Sequence, residues 1–230
     1  MNNKHISILI PIYNGIEFFD ESLKSIVNQT YKNWEVIIGI NGRYNNENFV
    51  NTVNDIVKKY NFNNQYDIKI INFDFKGKSI TLNKLLLYSK YDYIALLDVD
   101  DIWIDNKLEL QIKYLDNYDV IGTKCKYFGD INNFKPNIPV GDISNYDFLI
   151  LNPIINSSVI IKKKYCYWDN SFEGLEDYNL WLSLYFKKIK FFNLDNILCY
   201  HRIHKTSAFN NTNYYSLDLL KNKWKYFKYY

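Results

Sequence analysis

Along the first hundred residues, short runs of Ile, Leu and Val alternate with segments whose apolar positions recur every three to four residues. Residues 6–12, 34–40, 68–73 and 93–97 read as strands, and residues 16–28, 49–60 and 80–88 as helices. The order β-α-β-α-β-α-β predicts an α/β fold. The runs at 6–12 and 93–97 are almost continuously apolar rather than alternating, as expected of strands covered by helices on both faces of a mostly parallel sheet. In such a sheet ligands bind beyond the carboxyl ends of the strands, so the segments after Ile12, Ile40, Phe73 and Leu97 should converge on one crevice. The pattern changes after that. A loop rich in Asn, Gly and Pro spans 129–142, followed by a short helix, a strand, a second helix and a β-rich return to His204, then a terminal helix from about Tyr214. With no flexible linker and no internal repeat, the chain reads as one domain, with a ligand-binding half at about 1–103, an acceptor-side half at about 104–207 and a C-terminal helix at about 214–230.

Composition narrows the classes. The 230 residues carry a net charge of +3, too small for an electrostatic footprint on nucleic acid. Three scattered cysteines, Cys125, Cys166 and Cys199, suit free thiols in a reducing compartment rather than a disulfide framework or a zinc site. No apolar stretch is long enough to span a membrane, and no secretory leader precedes Ile6, so a cytoplasmic location is expected. Three Asn-x-Ser/Thr sequons, at Asn28, Asn156 and Asn210, are expected by chance in so Asn-rich a chain.

Candidate chemistry begins where an apolar strand runs into Asp98-Val99-Asp100-Asp101. Three carboxylates at a buried strand end require a cation, and hard oxygen ligands suit Mg²⁺ or Mn²⁺ with a diphosphate; strand alternation would put Asp98 and Asp100 on one side. The competing reading is a strand-to-helix turn with Asp101 or Asp105 capping the helix that follows. Glu176 and Asp177 open a second helix, where the helix dipole alone would favour acids. After a strand at 197–200, alternation would aim Arg202 and His204 to one side.

Taken in order, these segments resemble the inverting nucleotide-sugar glycosyltransferases of family two, with the GT-A fold, from about Ile6 to Ser207. The similar segments are Ser7-Ile8-Leu9-Ile10-Pro11-Ile12-Tyr13-Asn14, the Ser25 to Glu35 stretch with Gln29-Thr30-Tyr31, Gly77-Lys78-Ser79 through Asn83-Lys84, the Asp98-Val99-Asp100 element, Asn152-Pro153-Ile154 with Ser157-Ser158, Glu176-Asp177-Tyr178-Asn179-Leu180-Trp181, and Arg202-Ile203-His204 with Ser207. The resemblance implies that Asp98 contacts the ribose side of a nucleoside-diphosphate sugar. Asp100 would bind a divalent metal, Mn²⁺ or Mg²⁺, with His204 completing the site, and Lys78 and Arg202 would face the diphosphate. Asp177, beside Glu176, would be the base that deprotonates the acceptor hydroxyl of a glycan, lipid or protein. Pro11, Tyr13, Asn14, Asn41 and Asn83 are further candidate donor contacts. Asn156, Ser157, Trp103 and Trp181 are weaker candidates on the acceptor side, each with a buried structural role as the alternative.

Two departures bear on the donor. Ile40-Asn41-Gly42-Arg43 stands where the family commonly has Asp-Asp-Gly-Ser, removing a carboxylate that holds a uracil edge, so UDP is favoured by family frequency alone. Leu82 replaces an Arg often found before Asn83, which shifts the expected diphosphate contacts to Lys78 or Lys84. A nucleotidyltransferase would need a glycine-rich basic loop after the first strand, which Pro11-Ile12-Tyr13-Asn14 is not; a degenerate sugar-nucleotide- or glycan-binding module is the non-enzymatic alternative. The segment from Lys221 to Tyr230 holds four lysines, no acid, and the aromatics Trp224, Tyr226, Phe227, Tyr229 and Tyr230. Weak peripheral contact with a membrane therefore competes with a packed helix, for which Leu217, Leu220, Trp224 and Phe227 have the spacing. The sequence leaves the oligomeric state open.

Overall fold

The computed structural model describes residues 4–131, 133–172, 174–205 and 214–227. Strands β1 (Ile6–Ile12), β2 (Trp34–Asn41), β3 (Asp67–Phe73) and β4 (Tyr93–Leu96) form a parallel array in the order β3-β2-β1-β4. Helices α1 (Phe19–Val27), α2 (Glu47–Tyr60) and α3 (Lys78–Tyr88) make the crossovers. All seven residues of β1 and all eight of β2 are buried, which is why their sequences do not alternate. The even-numbered isoleucines of β1 join Val36, Ile38, Phe19, Leu23 and Val53 in one apolar cluster. Leu9 and Ile37 point the other way, into a second cluster with Leu82 and Leu85 of α3. At Gly39 a Cβ would lie 2.7 Å from a Thr81 methyl, so the absence of a side chain lets α3 sit directly on β2.

The second half extends the same sheet. The strands are β5 (Ile102–Trp103), β6 (Val120–Gly129), β7 (Gly141–Asp142), β8 (Ile160–Lys162) and β9 (Phe191–Ile203), with helices α4 (Lys107–Gln111) and α5 (Glu176–Phe186) between them. The sheet continues β4-β8-β6-β9-β5, with β8 antiparallel to both β4 and β6, β9 parallel to β6, and β7 against β9. The strand β6 is not anticipated by the sequence pattern, where the Asn-rich loop beyond it dominates. Cys125 of β6 pairs in register with Cys199 of β9; both thiols are free and buried.

Helix α6 (Tyr214–Phe227) packs on α5. Leu220 is fully buried, the Trp224 ring stacks on Phe186 with centroids 5.7 Å apart, and its indole N–H donates to Asn179 Oδ1 at 2.8 Å. The apolar spacing noted in the sequence thus serves packing at Leu220 and Trp224, while Tyr226 is 72% exposed. The Phe227 side chain, Tyr229, Tyr230, Ser207 and Asn210 lie outside the described residues. Among the described residues no helix is long and apolar enough to cross a membrane.

Candidate active site

The carboxyl ends of the parallel strands are tied together by side chains. Asn41, at the end of β2, donates from Nδ2 to the Ile12 carbonyl at 3.0 Å and accepts at Oδ1 from the Gly77 amide at 3.1 Å. It thereby joins the ends of β1 and β2 to the start of α3. Gly42, at φ 64°, turns the chain so that Arg43 reaches back: Nε donates to the Tyr13 carbonyl at 2.9 Å, and the guanidinium also bonds Asn14 Oδ1. Two cations lie over the Tyr13 ring, Arg43 at 4.7 Å and Lys76 at 4.5 Å from its centroid. Asn41 is 2% exposed and holds loops together, which corrects the expectation that it presents its amide to a base. Arg43 and Lys76 are the polar groups around Tyr13 that sequence reasoning passes over.

The acidic segment leaves the sheet earlier than expected. β4 ends at Leu96, and residues 98–101 form a turn closed by the Asp101 amide on the Asp98 carbonyl at 3.1 Å, so strand alternation does not govern the carboxylates. Each goes its own way. Asp98 Oδ1 meets the Lys78 ammonium at 2.7 Å, its Oδ2 accepts from Asn156 Nδ2 at 3.1 Å, and its amide donates to Ser157 Oγ at 3.0 Å. Burial alone would raise its pKa, but the Lys78 charge and these hydrogen bonds hold it below the usual carboxylate range. Asp100 Oδ2 contacts His204 Nε2 at 2.9 Å; burial, reinforced by the charges of Asp101 and Asp98, pushes its pKa up to about 6. Asp101 is fully buried. It accepts from the Arg202 amide at 2.9 Å and meets His201 Nδ1 at 3.0 Å, and its charge overcomes the burial of His201 to raise that imidazole to about 9. Neither helix cap suggested for Asp101 or Asp105 forms: Asn106 precedes α4 without a side-chain capping bond. The Asp101–His201 pair escapes a reading of the sequence alone. Its signal is register, because Ile102 pairs Tyr200 and Trp103 pairs Cys199, which makes 101 and 201 the next opposed positions.

Arg202 and His204 do reach the same acid from β9. Arg202 Nε donates to the Asp100 carbonyl at 2.9 Å, its terminal nitrogen bonds Glu21, and its guanidinium lies between the rings of Phe18 and Phe128 at 4.4 and 4.2 Å. That cation is locked into the scaffold, braced against α1, where the sequence leads one to expect a free diphosphate ligand. Asn83 is likewise spent, exchanging hydrogen bonds with both the Trp168 carbonyl (2.7 Å) and amide (3.0 Å). Pro11, Trp103 and Trp181 are buried in the core and do not line an open surface. Trp103 instead fixes the turn at Asn156–Ser158 by donating from Nε1 to the Ser157 carbonyl at 2.5 Å. The stretch around Gln29 braces the scaffold in the same way. Gln29 bonds the Ile104 carbonyl and the Leu108 amide, and Ser25 Oγ accepts from the Trp103 amide, fastening α1 to the segment that follows the acids.

Helix α5 brings the second acidic pair to the first. Lys78, at the start of α3, lies 3.8 Å from Glu176 Oε1 while bonded to Asp98, and borders a cleft of about 450 Å³ lined also by Lys76, Gly77, Asn170, Gly174 and Glu176. Asp177 has its pKa pushed up to about 6 by burial and by Glu176, against the opposing charge of Lys78. The lysine is held charged, its pKa raised by Asp98 and Glu176 despite burial. No three His, Cys, Asp or Glu side chains converge on one point among the described residues. The Asp100–His204 pair still offers one carboxylate oxygen and one imidazole nitrogen, donor atoms that suit a divalent ion.

The acid beyond the parallel strands, Asp98, and Glu176 at the start of α5 thus meet through Lys78, which borders the cleft. Residues 7–203 match Glycosyl transferase family 2, and the chain belongs to that family. It is 30% identical over 98% of its length to an uncharacterized glycosyltransferase of Methanocaldococcus jannaschii, covering 81% of that protein. It is 28% identical over 97% of its length to the UDP-Glc:alpha-D-GlcNAc-diphosphoundecaprenol beta-1,3-glucosyltransferase WfgD of Escherichia coli, covering 85% of it. Among solved structures, S. aureus TarS 1-349 in complex with UDP-GlcNAc superposes with a TM-score of 0.75 at 17% identity, over 94% of this chain and 65% of that one. The mannosyltransferase of Pyrobaculum calidifontis in complex with GDP-Man and Mn²⁺ gives 0.68 at 13%, over 89% of this chain and 58% of that one. The fold is therefore that of the GT-A glycosyltransferases, and the chain spans under two thirds of the solved chains it matches.

Proposed function

We propose that the protein transfers a sugar from a nucleoside-diphosphate donor, with UDP favoured, to a hydroxyl of a glycan, lipid-linked or protein acceptor by single displacement with inversion. The observation that carries this reading is the meeting of two acidic groups through Lys78: Asp98, 2.7 Å from its ammonium, and the Glu176–Asp177 start of α5, with Glu176 at 3.8 Å. One group serves the donor and the other the acceptor. Tyr13 and Asn14 stand at the far end of the crevice, where Arg43 and Lys76 over the Tyr13 ring add positive charge beside the donor.

Asp100 and His204 would hold the divalent ion. When bound, it supplies positive charge to the diphosphate as the sugar leaves. Asp98 orients the ribose side, and Lys78 adds a mobile cation to the leaving group. Asp177 takes the acceptor's hydroxyl proton as the oxygen attacks the anomeric carbon from the face opposite the diphosphate, so no covalent sugar–enzyme bond is formed. A carboxyl raised to about 6 is a stronger base than an ordinary aspartate and is still ionised at neutral pH. Asn156, bonded to Asp98 Oδ2, stands where a sugar hydroxyl could be read, while Ser157 is buried and fixes the Asp98 amide. An acceptor on a lipid diphosphate, the kind named for WfgD, would bring the protein to the cytoplasmic face of a membrane as a peripheral contact.

The test is release of nucleoside diphosphate from UDP-, GDP- and dTDP-sugars by purified protein, with and without Mn²⁺. Release from one donor that requires metal supports the reading. Asp177→Asn should lower that rate by roughly 100- to 10,000-fold while leaving donor binding intact. A variant as fast as wild type removes Asp177 as the base.

A further inference from the structure

Of the three carboxylates in the acidic turn, those of Asp98 and Asp100 are partly exposed, whereas Asp101 is fully buried and out of reach of a substrate. A buried carboxylate has to be satisfied by the protein, and the bonds of Asp101 close the turn and reach the end of β9. Its amide donates to the Asp98 carbonyl at 3.1 Å, and its Oδ1 accepts from the Arg202 amide at 2.9 Å. His201 Nδ1 lies 3.1 and 3.0 Å from its two oxygens; a carboxylate only accepts, so Nδ1 carries the hydrogen. On its other side the His201 ring meets Tyr127 of β6 edge-on, with centroids 5.2 Å apart. Backbone pairing of β5 with β9 stops at Ile102 and Tyr200, and beyond that point the Asp101 side chain takes the place of the ladder. Next to this junction Asp100 Oδ2 and His204 Nε2 stand 2.9 Å apart, although the two residues are 104 positions apart in the chain. No local structure fixes their separation. Arg202 shares the task, donating from Nε to the Asp100 carbonyl at 2.9 Å.

We propose that Asp101 and His201 are positioning residues: the pair fastens the end of β9 to the acidic turn and so holds Asp100 and His204 close enough to share one divalent ion. Resting on the glycosyltransferase reading and its ion site, this adds what sets the affinity of that site. Neither residue touches the ion or the donor. Without the His201 bond, the bonds from Arg202 remain to tie the turn to β9, and the two ligands ride on segments that shift against each other. Ligands held this loosely must be drawn together each time an ion binds, and the ordering cost is subtracted from the affinity. Once the ion is in place the ligands are back in register, so the loss falls on metal binding and not on turnover at saturating metal. Partners that orient metal ligands are worth roughly 10- to 100-fold in affinity.

The test is Mn²⁺ binding, read from the electron-spin-resonance signal of the free ion, in the presence of whichever of UDP, GDP and dTDP binds tightest, with protein-free solution as the reference. Wild type, D100A, H201F and H201N are compared, with N83A as a variant destabilised away from the ion site. H201F keeps a flat ring but has no donor for Asp101, whereas the side-chain amide of H201N places an N–H where Nδ1 stands. We expect H201F to weaken Mn²⁺ binding by roughly 10- to 100-fold, H201N to stay within about threefold of wild type, and N83A to bind as wild type does. In donor hydrolysis, H201F should raise the Mn²⁺ concentration for half-maximal rate by the same factor, while the rate at saturating Mn²⁺ stays within about threefold. An H201F variant that binds Mn²⁺ as tightly as wild type overturns the proposal. So does H201N as weak as H201F, or an equal loss in H201F and N83A, which would mark a general loss of stability. Should H201F fail to fold, H201S, which drops the same donor without filling the space, makes the same comparison. Wild type that binds Mn²⁺ no better than D100A overturns the ion site itself, and wild type that binds none of the three diphosphates overturns the glycosyltransferase reading; both differ from equal binding in wild type and H201F.

Discussion

Lys107 is fully buried, and its ammonium position is satisfied by one neutral partner, Gln111 Oε1 at 2.8 Å, with the Trp103 ring 3.9 Å away. Burial lowers its pKa from 10.5 to about 7. That displacement corresponds to about 5 kcal/mol of unfavourable charging below pH 7. Replacing Lys107 by Met keeps the length and apolar stem, removes this penalty, and leaves Gln111 Oε1 without its donor at a cost of about 1–3 kcal/mol. The sign follows from proton linkage. Between pH 7 and 10.5 the unfolded chain holds a proton on Lys107 that the folded chain does not, so wild-type stability rises with pH across that window relative to the variant. Lys107→Met should therefore be more stable than wild type by about 2 kcal/mol at pH 6.5, a rise of several degrees in Tm, and less stable by about 1 kcal/mol at pH 10. Urea unfolding of both proteins at four or five pH values tests this. A stability difference of constant sign and size from pH 6.5 to 10 would show that Lys107 does not change protonation on folding and would refute the reasoning.

Three further outcomes follow from the site. Asp100→Ala should abolish the effect of Mn²⁺ on donor hydrolysis, and because the Asp100 carboxyl is raised to about 6 and must ionise to bind metal, wild-type metal affinity should fall as pH drops through 6; titration of Mn²⁺ at pH 5 and 7 checks it. Asn41→Ala removes two hydrogen bonds between the ends of β1, β2 and the start of α3, and should cost about 1–3 kcal/mol in urea unfolding while also weakening donor binding; unchanged binding would detach this brace from the site. Asn83→Ala breaks the paired bonds to Trp168, and should destabilise by a similar amount with no change in the donor KM, in keeping with a residue that touches only the scaffold.

What the sequence by itself determined is whatever depends on near neighbours in the chain. The apolar runs at Ile6–Ile12 and Trp34–Asn41 are explicit about burial on two faces, and periodicity located the three crossover helices within a few residues. The acids at 98–101 and 176–177 were visible because local composition there is extreme. Which acid does what was decided by the tertiary structure. A turn replaced the strand at Asp98, so alternation could not assign Asp98, Asp100 and Asp101 to Lys78, His204 and His201. Those partners lie 20 to about 100 positions away, and only the pairing of β5 with β9 and the packing of α3 on β1 and β2 bring them within hydrogen-bonding distance. The same holds for Asn41, Asn83 and Arg202. As residue types they qualify for ligand contact, but each is consumed by a partner distant in the chain: Gly77, Trp168 and Glu21. A side chain's chemistry is written in the sequence, but whether its polar atoms remain free for a substrate is a property of packing.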